Sequence, residues 1–68
     1  MKVNTEHYRD SNGHDPKPSQ SGLWMFMVVR SDGAGTMIAK QGTYREALRD
    51  AKAEARTIGG AETIYPQP

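Results

Sequence analysis

The sequence contains no cysteine, which rules out both a disulfide framework and a thiolate zinc site. It also lacks a charge excess: nine Lys and Arg stand against eight Asp and Glu, a formal net charge of +1. A domain that holds nucleic acid by electrostatics alone is ordinarily strongly basic, and this one is not. Long apolar runs are missing as well. The longest, Leu23 to Val29, falls far short of the roughly 20 residues that a membrane-crossing helix needs. The opening MKVNTEHYRD has no apolar stretch of the secretory type. A cytoplasmic location with no membrane partner is the expectation that follows. With 68 residues, 35% of them hydrophobic, the chain has room for one small domain and is expected to leave part of its length outside the core.

Catalytic equipment is equally sparse. Catalysis calls for a nucleophile beside a base, a carboxylate pair in a cleft or a set of metal ligands, and no such grouping stands out. Gly33-Ala34-Gly35 lacks the lysine and following helix of a phosphate loop. His7 and His14, with Asp10 and Asp15 close by, are the metal-ligating types that cluster, but they sit in a polar stretch with no scaffold for fixed geometry. The expectation is a protein that is not an enzyme and uses no cofactor or metal.

Residues 1–22 read as a flexible polar tail. They are broken by Asn12-Gly13, Pro16, Pro18 and the run Ser19 to Gly22, and only Val3 and Tyr8 are sizeable enough to dock. Such a composition offsets little of a backbone ordering cost of roughly 1–2 kcal/mol per residue, so ordering would need a partner or a sheet edge. The folded domain is expected over 23–68. Leu-Trp-Met-Phe-Met-Val-Val opens it as a strand apolar on both faces. Asp32-Gly33 with Gly35 supplies a hairpin turn, and Thr36 to Lys40 the second strand, broken at Gln41-Gly42. Thr43-Tyr44-Arg45-Glu46 matches a capping box, predicting a helix from Tyr44 to about Ile58 that stops at Gly59-Gly60. Ala61 to Tyr65 is the third strand. The predicted fold is α+β: an antiparallel three-stranded sheet carrying one amphipathic helix, in the order β-β-α-β.

At about 100° per residue, Tyr44, Ala47, Leu48, Ala51, Ala55 and Ile58 gather on one core-facing side of that helix. Arg45, Arg49, Lys52 and Arg56 fall on one ridge and Glu46, Asp50 and Glu54 on a separate line. Like charges four apart cost a few tenths of a kcal/mol each, so this segregation runs against simple helix stabilisation. The plain reading is a solvated face screened by its neighbouring acids. The functional reading is a contact surface for phosphates or for an acidic protein, with arginine suited to bidentate bonds.

The sheet raises a different question, because one helix covers one face and the first strand is apolar on both. Trp24, Met25, Phe26, Met27 and Met37 are the candidate sheet-face interface, to be covered by the tail, a second copy or another protein. Alternatively the methionines simply fill a monomer core. Self-association into a homodimer is the simplest of these solutions for so small a domain.

From Leu23 to Tyr65 the chain resembles small bacterial and phage domains of unknown function built β-β-α-β. The likeness is carried by the tryptophan in the first strand, the Asp-Gly hairpin, the cap at Thr43 and Glu46, the alanine spacing and Gly59-Gly60. These motifs are structural, so the resemblance implies a fold and assigns no catalytic residue. In size and style the chain also looks like the inhibitors that phages and mobile elements direct against host proteins. The functional expectation is a non-catalytic interaction protein that blocks an acidic surface of a host protein through Arg45, Arg49, Lys52 and Arg56. The alternative is a nucleic-acid-binding accessory protein that uses the same basic face.

Overall fold

The structure is a computed structural model that describes all 68 residues, Met1 to Pro68. At its centre is the apolar strand anticipated from Leu-Trp-Met-Phe-Met-Val-Val, extended to Ser21–Arg30 and preceded in the chain by two further elements. In chain order these are β1 (Lys2–Val3), α1 (Glu6–Asn12), β2 (Ser21–Arg30), β3 (Gly35–Thr43), α2 (Tyr44–Ala55) and β4 (Ala61–Pro66). The sheet order is β1-β4-β2-β3. β2 therefore pairs on both sides, antiparallel to β3 and to β4, while β1 adds a short parallel edge to β4. The fold is α+β as expected, but with four strands in a mixed sheet and two helices rather than three strands and one helix.

The turn between β2 and β3 forms where Asp32-Gly33 places it. Arg30 N–H donates to the Ala34 carbonyl at 2.8 Å, Asp32 Oδ1 accepts from Ala34 N–H at 3.0 Å, and Gly33 takes φ +89°, which a side chain would disfavour. β3 runs on through Gln41-Gly42 to Thr43 instead of breaking there, because both residues keep their pairing with Leu23 and Gly22. α2 ends three residues earlier than anticipated. Thr57 and Ile58 donate to carbonyls three residues back, tightening the last turn, and Thr57 Oγ1 donates to the Glu54 carbonyl at 2.6 Å.

β3 and β4 run in the same direction on either side of β2, so α2 is a crossover that must pass over one face of the sheet. It covers that face closely because Ala47, Ala51 and Ala55 are fully buried and carry no bulk to hold it away. Beneath it lie Trp24, Phe26 and Val28 of β2, Ile38 of β3 and Ile64 of β4. Leu48 and Ile58 are half-buried at the margin of this core.

The flexible tail expected over residues 1–22 is ordered, and the sheet edge orders it. Val3 pairs with Ile64, and Asn4 N–H donates to the Ile64 carbonyl at 2.9 Å. Asn4 Oδ1 accepts from Glu6 N–H to start α1, and Gly13 closes the helix at φ +77°. Asn12-Gly13 is thus a helix stop rather than a break in an unstructured stretch. Tyr8, 4% exposed, lays its ring on Trp24 at a centroid distance of 5.8 Å. Arg9, Thr5 and Asp15 tie the helix to the following turn through bonds of 2.9 Å to Asp15 Oδ1. Those two donors, Arg9 first, hold the Asp15 carboxyl below its usual range. A single buried aromatic ring removes on the order of 150–250 Å² from water, and with Val3 packed against the same core and Pro16 buried it anchors an otherwise largely polar segment.

Tyr8→Ala should therefore release the N-terminal segment from Trp24, the one tryptophan of the chain. The expected result is a red-shifted tryptophan emission and a loss of about 3 kcal/mol in urea unfolding, with the α2 helical signal retained in native buffer. Unchanged emission and stability would show that α1 contributes nothing to the core.

Candidate functional site

α2 begins with an exposed turn of backbone amides that need acceptors, and the residues that supply them also shape a groove. Thr43 Oγ1 accepts from Glu46 N–H at 3.2 Å while Glu46 Oε1 accepts from Thr43 N–H at 3.3 Å, the anticipated capping box. The two preceding amides are taken by the N-terminal segment: Tyr44 N–H donates to the Gln20 carbonyl at 2.9 Å and Arg45 N–H to the Pro18 carbonyl at 3.1 Å. Gln20 also accepts from Trp24 Nε1 at 3.2 Å. Pro18 is thereby held against the first turn of α2.

The two charged lines of α2 face different neighbours. Glu54 reaches across to Lys40 of β3 at 2.9 Å, so the acidic line is turned toward β3. The basic ridge lies round the other side. Arg45, Arg49, Lys52 and Arg56, with Pro18, Tyr44 and Leu48, line a single open groove of about 380 Å³. All four cations singled out from sequence are brought together there. Arg49 Nε contacts Asp50 at 3.2 Å between exposed groups, while Arg45, Lys52 and Arg56 form no ion pair. No carboxylate, imidazole or aliphatic hydroxyl lines the groove.

Its floor was less legible. Tyr44 and Leu48 were assigned to the core face, yet each also contributes to the groove, and Pro18 was assigned to the tail. Leu48 lies roughly 60° from the middle of the apolar arc and next to Lys52 on the helical wheel, which is the signal for a boundary position. Burial is the largest influence on the Tyr44 phenol, followed by the charge of Asp15 and then Tyr8, and together they raise its pKa above the ordinary 10. The phenol stays protonated near neutrality, as a hydrogen-bond donor rather than a nucleophile.

The sheet-face candidates divide into two groups. Trp24 and Phe26, 5% and 0% exposed, lie under α2 and belong to the core, contrary to their expected place in an interface. The reason is strand alternation: they share the face of Val28, while Met25 and Met27 point the other way with Leu23. Met25, Met27 and Met37 do share one face, which no helix covers. His14 Nδ1 lies 2.7 Å from the Asp15 carbonyl, and its ring meets Tyr8 edge-on at 6.0 Å. Nowhere do three His, Asp or Glu side chains come together as a metal site would require.

No family model, curated protein or solved structure matches this chain. No helix is long and apolar enough to cross a membrane. Function therefore has to be argued from the groove and the faces.

The cap at the head of the groove carries a pH dependence of known sign. The Thr43 hydroxyl and then its backbone N–H hold Glu46 below its ordinary 4.5. A folded-state value below the unfolded one means that the cap contributes fully above that ordinary value and is lost as pH falls through the depressed one. The thermal midpoint should fall on the acid side of 4.5, and Glu46→Gln should flatten that fall, leaving the part due to Asp15. Melting curves followed by helical circular dichroism across the acid range measure it; an identical slope in the variant would contradict the assignment.

Proposed function

We propose that the chain is a non-catalytic interaction module that grips an acidic protein segment in the α2 groove. The observation that carries this reading is the gathering of Arg45, Arg49, Lys52 and Arg56 around an apolar floor of Tyr44, Leu48 and Pro18, with no carboxylate in the lining. From Arg45 to the C-cap Arg56 the ridge covers twelve residues, about 16 Å at about 1.5 Å per rise, a length that fits several consecutive acidic side chains. Arginine forks favour bidentate bonds to carboxylates, and Leu48 offers an apolar anchor beside them. The absence of an acid–base pair or nucleophile in the lining supports binding over turnover. Covering an acidic surface of a host protein is a mode of inhibition that suits a chain of this size, as in the phage and mobile-element inhibitors it looks like.

Nucleic acid is the second reading, favoured by the same four cations. It is weaker because the bases would find no exposed aromatic platform beside the ridge: Tyr44 is 8% exposed and Trp24 5%. An apolar floor also serves a protein side chain better than a phosphate.

The test combines capture of partners from host lysate, with and without nuclease, and two variants. Each charge-assisted hydrogen bond contributes roughly 1.5–3 kcal/mol, so Arg49→Glu with Lys52→Glu should weaken binding of the retained protein at least about a hundredfold without altering the circular dichroism. Leu48→Ala should weaken it by a smaller factor. Binding that disappears with nuclease, falls steeply with salt and ignores Leu48→Ala would move nucleic acid to first place. Full affinity in the charge-reversed variant would overturn both readings.

A further inference from the structure

We propose that the uncovered face of the sheet is the interface of a two-fold homodimer in which two copies pack face to face. Both helices lie on the other side: α2 covers Trp24, Phe26 and Val28, and α1 reaches the same face through Tyr8. On the bare side β2 presents Leu23, Met25, Met27 and Val29. Their partners are Gln41, Ala39, Met37 and Gly35 on β3, with Tyr65 and Thr63 on β4 opposite Met27 and Val29. Leu23 is 66% exposed, Met37 44% and Met25 36%. None of these ten residues carries a charge. At the β1–β4 edge of this face Lys2 stands beside Thr63, and Glu6 and Arg9 of α1 share a cleft with Thr63 and Tyr65, so charge borders the face while its β2–β3 centre is left apolar and uncovered.

Three features select a second copy as the occupant. The first is chemistry. Its β2–β3 centre carries no charge with which to discriminate a charged partner, whereas an identical centre is its equal in polarity. The second is area. The 30 × 22 Å outline of the molecule caps the face at about 660 Å², so a face-to-face pair buries at most about 1,300 Å², which reaches the lower end of stable specific interfaces. The third is relief. Along β3 the outward residues alternate small and large, Gly35, Met37, Ala39 and Gln41, while those of β2 are uniformly large. Met27 lies over Gly35 so closely that a Cβ there would stand 2.8 Å from its sulfur. Met27 thus fills the space over Gly35, the dip along β3 is left at Ala39 between Met37 and Gln41, and a two-fold axis sets the Met37 ridge of each copy against Ala39 of the other. Sheets packed in this way lie roughly 10 Å apart with strands near −30°. Methionine, unbranched and polarizable, suits the contact.

This arrangement leaves the two α2 grooves on opposite outer sides of the dimer, and it holds or fails independently of what those grooves bind. The full chain is expected to sediment as a dimer of twice 7.5 kDa at micromolar concentrations, with Leu23→Lys and Met37→Lys each weakening association at least a hundredfold while leaving the circular dichroism unchanged. In wild-type protein mixed from two isotope labellings, intermolecular NOEs are expected between the methyls of Met25 and Met37 and absent from Met1, which serves as the internal control. This second measurement needs no substitution. Monomeric sedimentation at all concentrations, a dimer indifferent to both lysines, a mass that keeps growing with concentration, or NOEs confined to the free edge of β3 would each overturn the proposal.

Discussion

Everything in the molecule is arranged around a central strand that is apolar on both sides. β2 is hydrogen-bonded to β3 and to β4, so it lies inside the sheet rather than at an edge, and its side chains alternate between two faces that water disfavours equally. Only one of those faces is covered. The β3-α2-β4 crossover has to pass over the sheet on one side, and α1 is added to that side by the contact of Tyr8 with Trp24. With Ala47, Ala51 and Ala55 letting α2 lie close, the covered face becomes a tight core built from few residues. The other face keeps Leu23, Met25 and Met37 in solvent, an imbalance that the proposed dimer would relieve.

The groove follows from the same geometry one step further out. α2 must turn its alanines to the sheet, which sends the two flanks of the helix in opposite directions. On one flank Glu54 finds Lys40 of β3, and the acidic line is partly neutralised there. On the other flank no carboxylate comes within ion-pair distance of Arg45, Lys52 or Arg56, and these three stay unpaired. The segregation that costs the helix a few tenths of a kcal/mol per like pair is thereby resolved into a paired side and a free side. The charge of the whole chain is close to neutral, and the local field at the groove is nonetheless basic.

Much of this was legible in the residues. The capping box at Thr43 and Glu46, the Asp32-Gly33 turn, the four-cation ridge and the two-faced first strand are all short-range patterns, and short-range patterns survive folding because their partners lie three or four positions away. The N-terminal segment was illegible for the opposite reason. Its partners are distant: Val3 meets Ile64, Tyr8 meets Trp24, and Pro18 and Gln20 meet the head of α2. A polar composition correctly says that such a segment does not fold alone, and it says nothing about a sheet edge and a helix terminus that need what the segment carries. Trp24 and Phe26 went astray through grouping, since strand alternation already separated them from Met25 and Met27. The early end of α2 reflects tightening of its last turn, which glycine position alone does not foretell.

The N-terminal segment matters to the proposed site as much as to the core. A helix offers unsatisfied amides at its start, and in α2 two of them are bonded by the carbonyls of Pro18 and Gln20. Those bonds bring Pro18 to the groove, where it joins Tyr44 and Leu48 in the apolar part of the lining. The groove is therefore not a property of α2 alone, and an isolated helix with the same ridge would present charge without the Pro18 part of the apolar floor. Anything that loosens Tyr8 from Trp24 also loosens the segment that ends at Gln20, since Gln20 is tied to Trp24 Nε1 as well as to Tyr44. Core packing, helix capping and the shape of the groove are thus three consequences of one docking event between a polar segment and the aromatic end of β2.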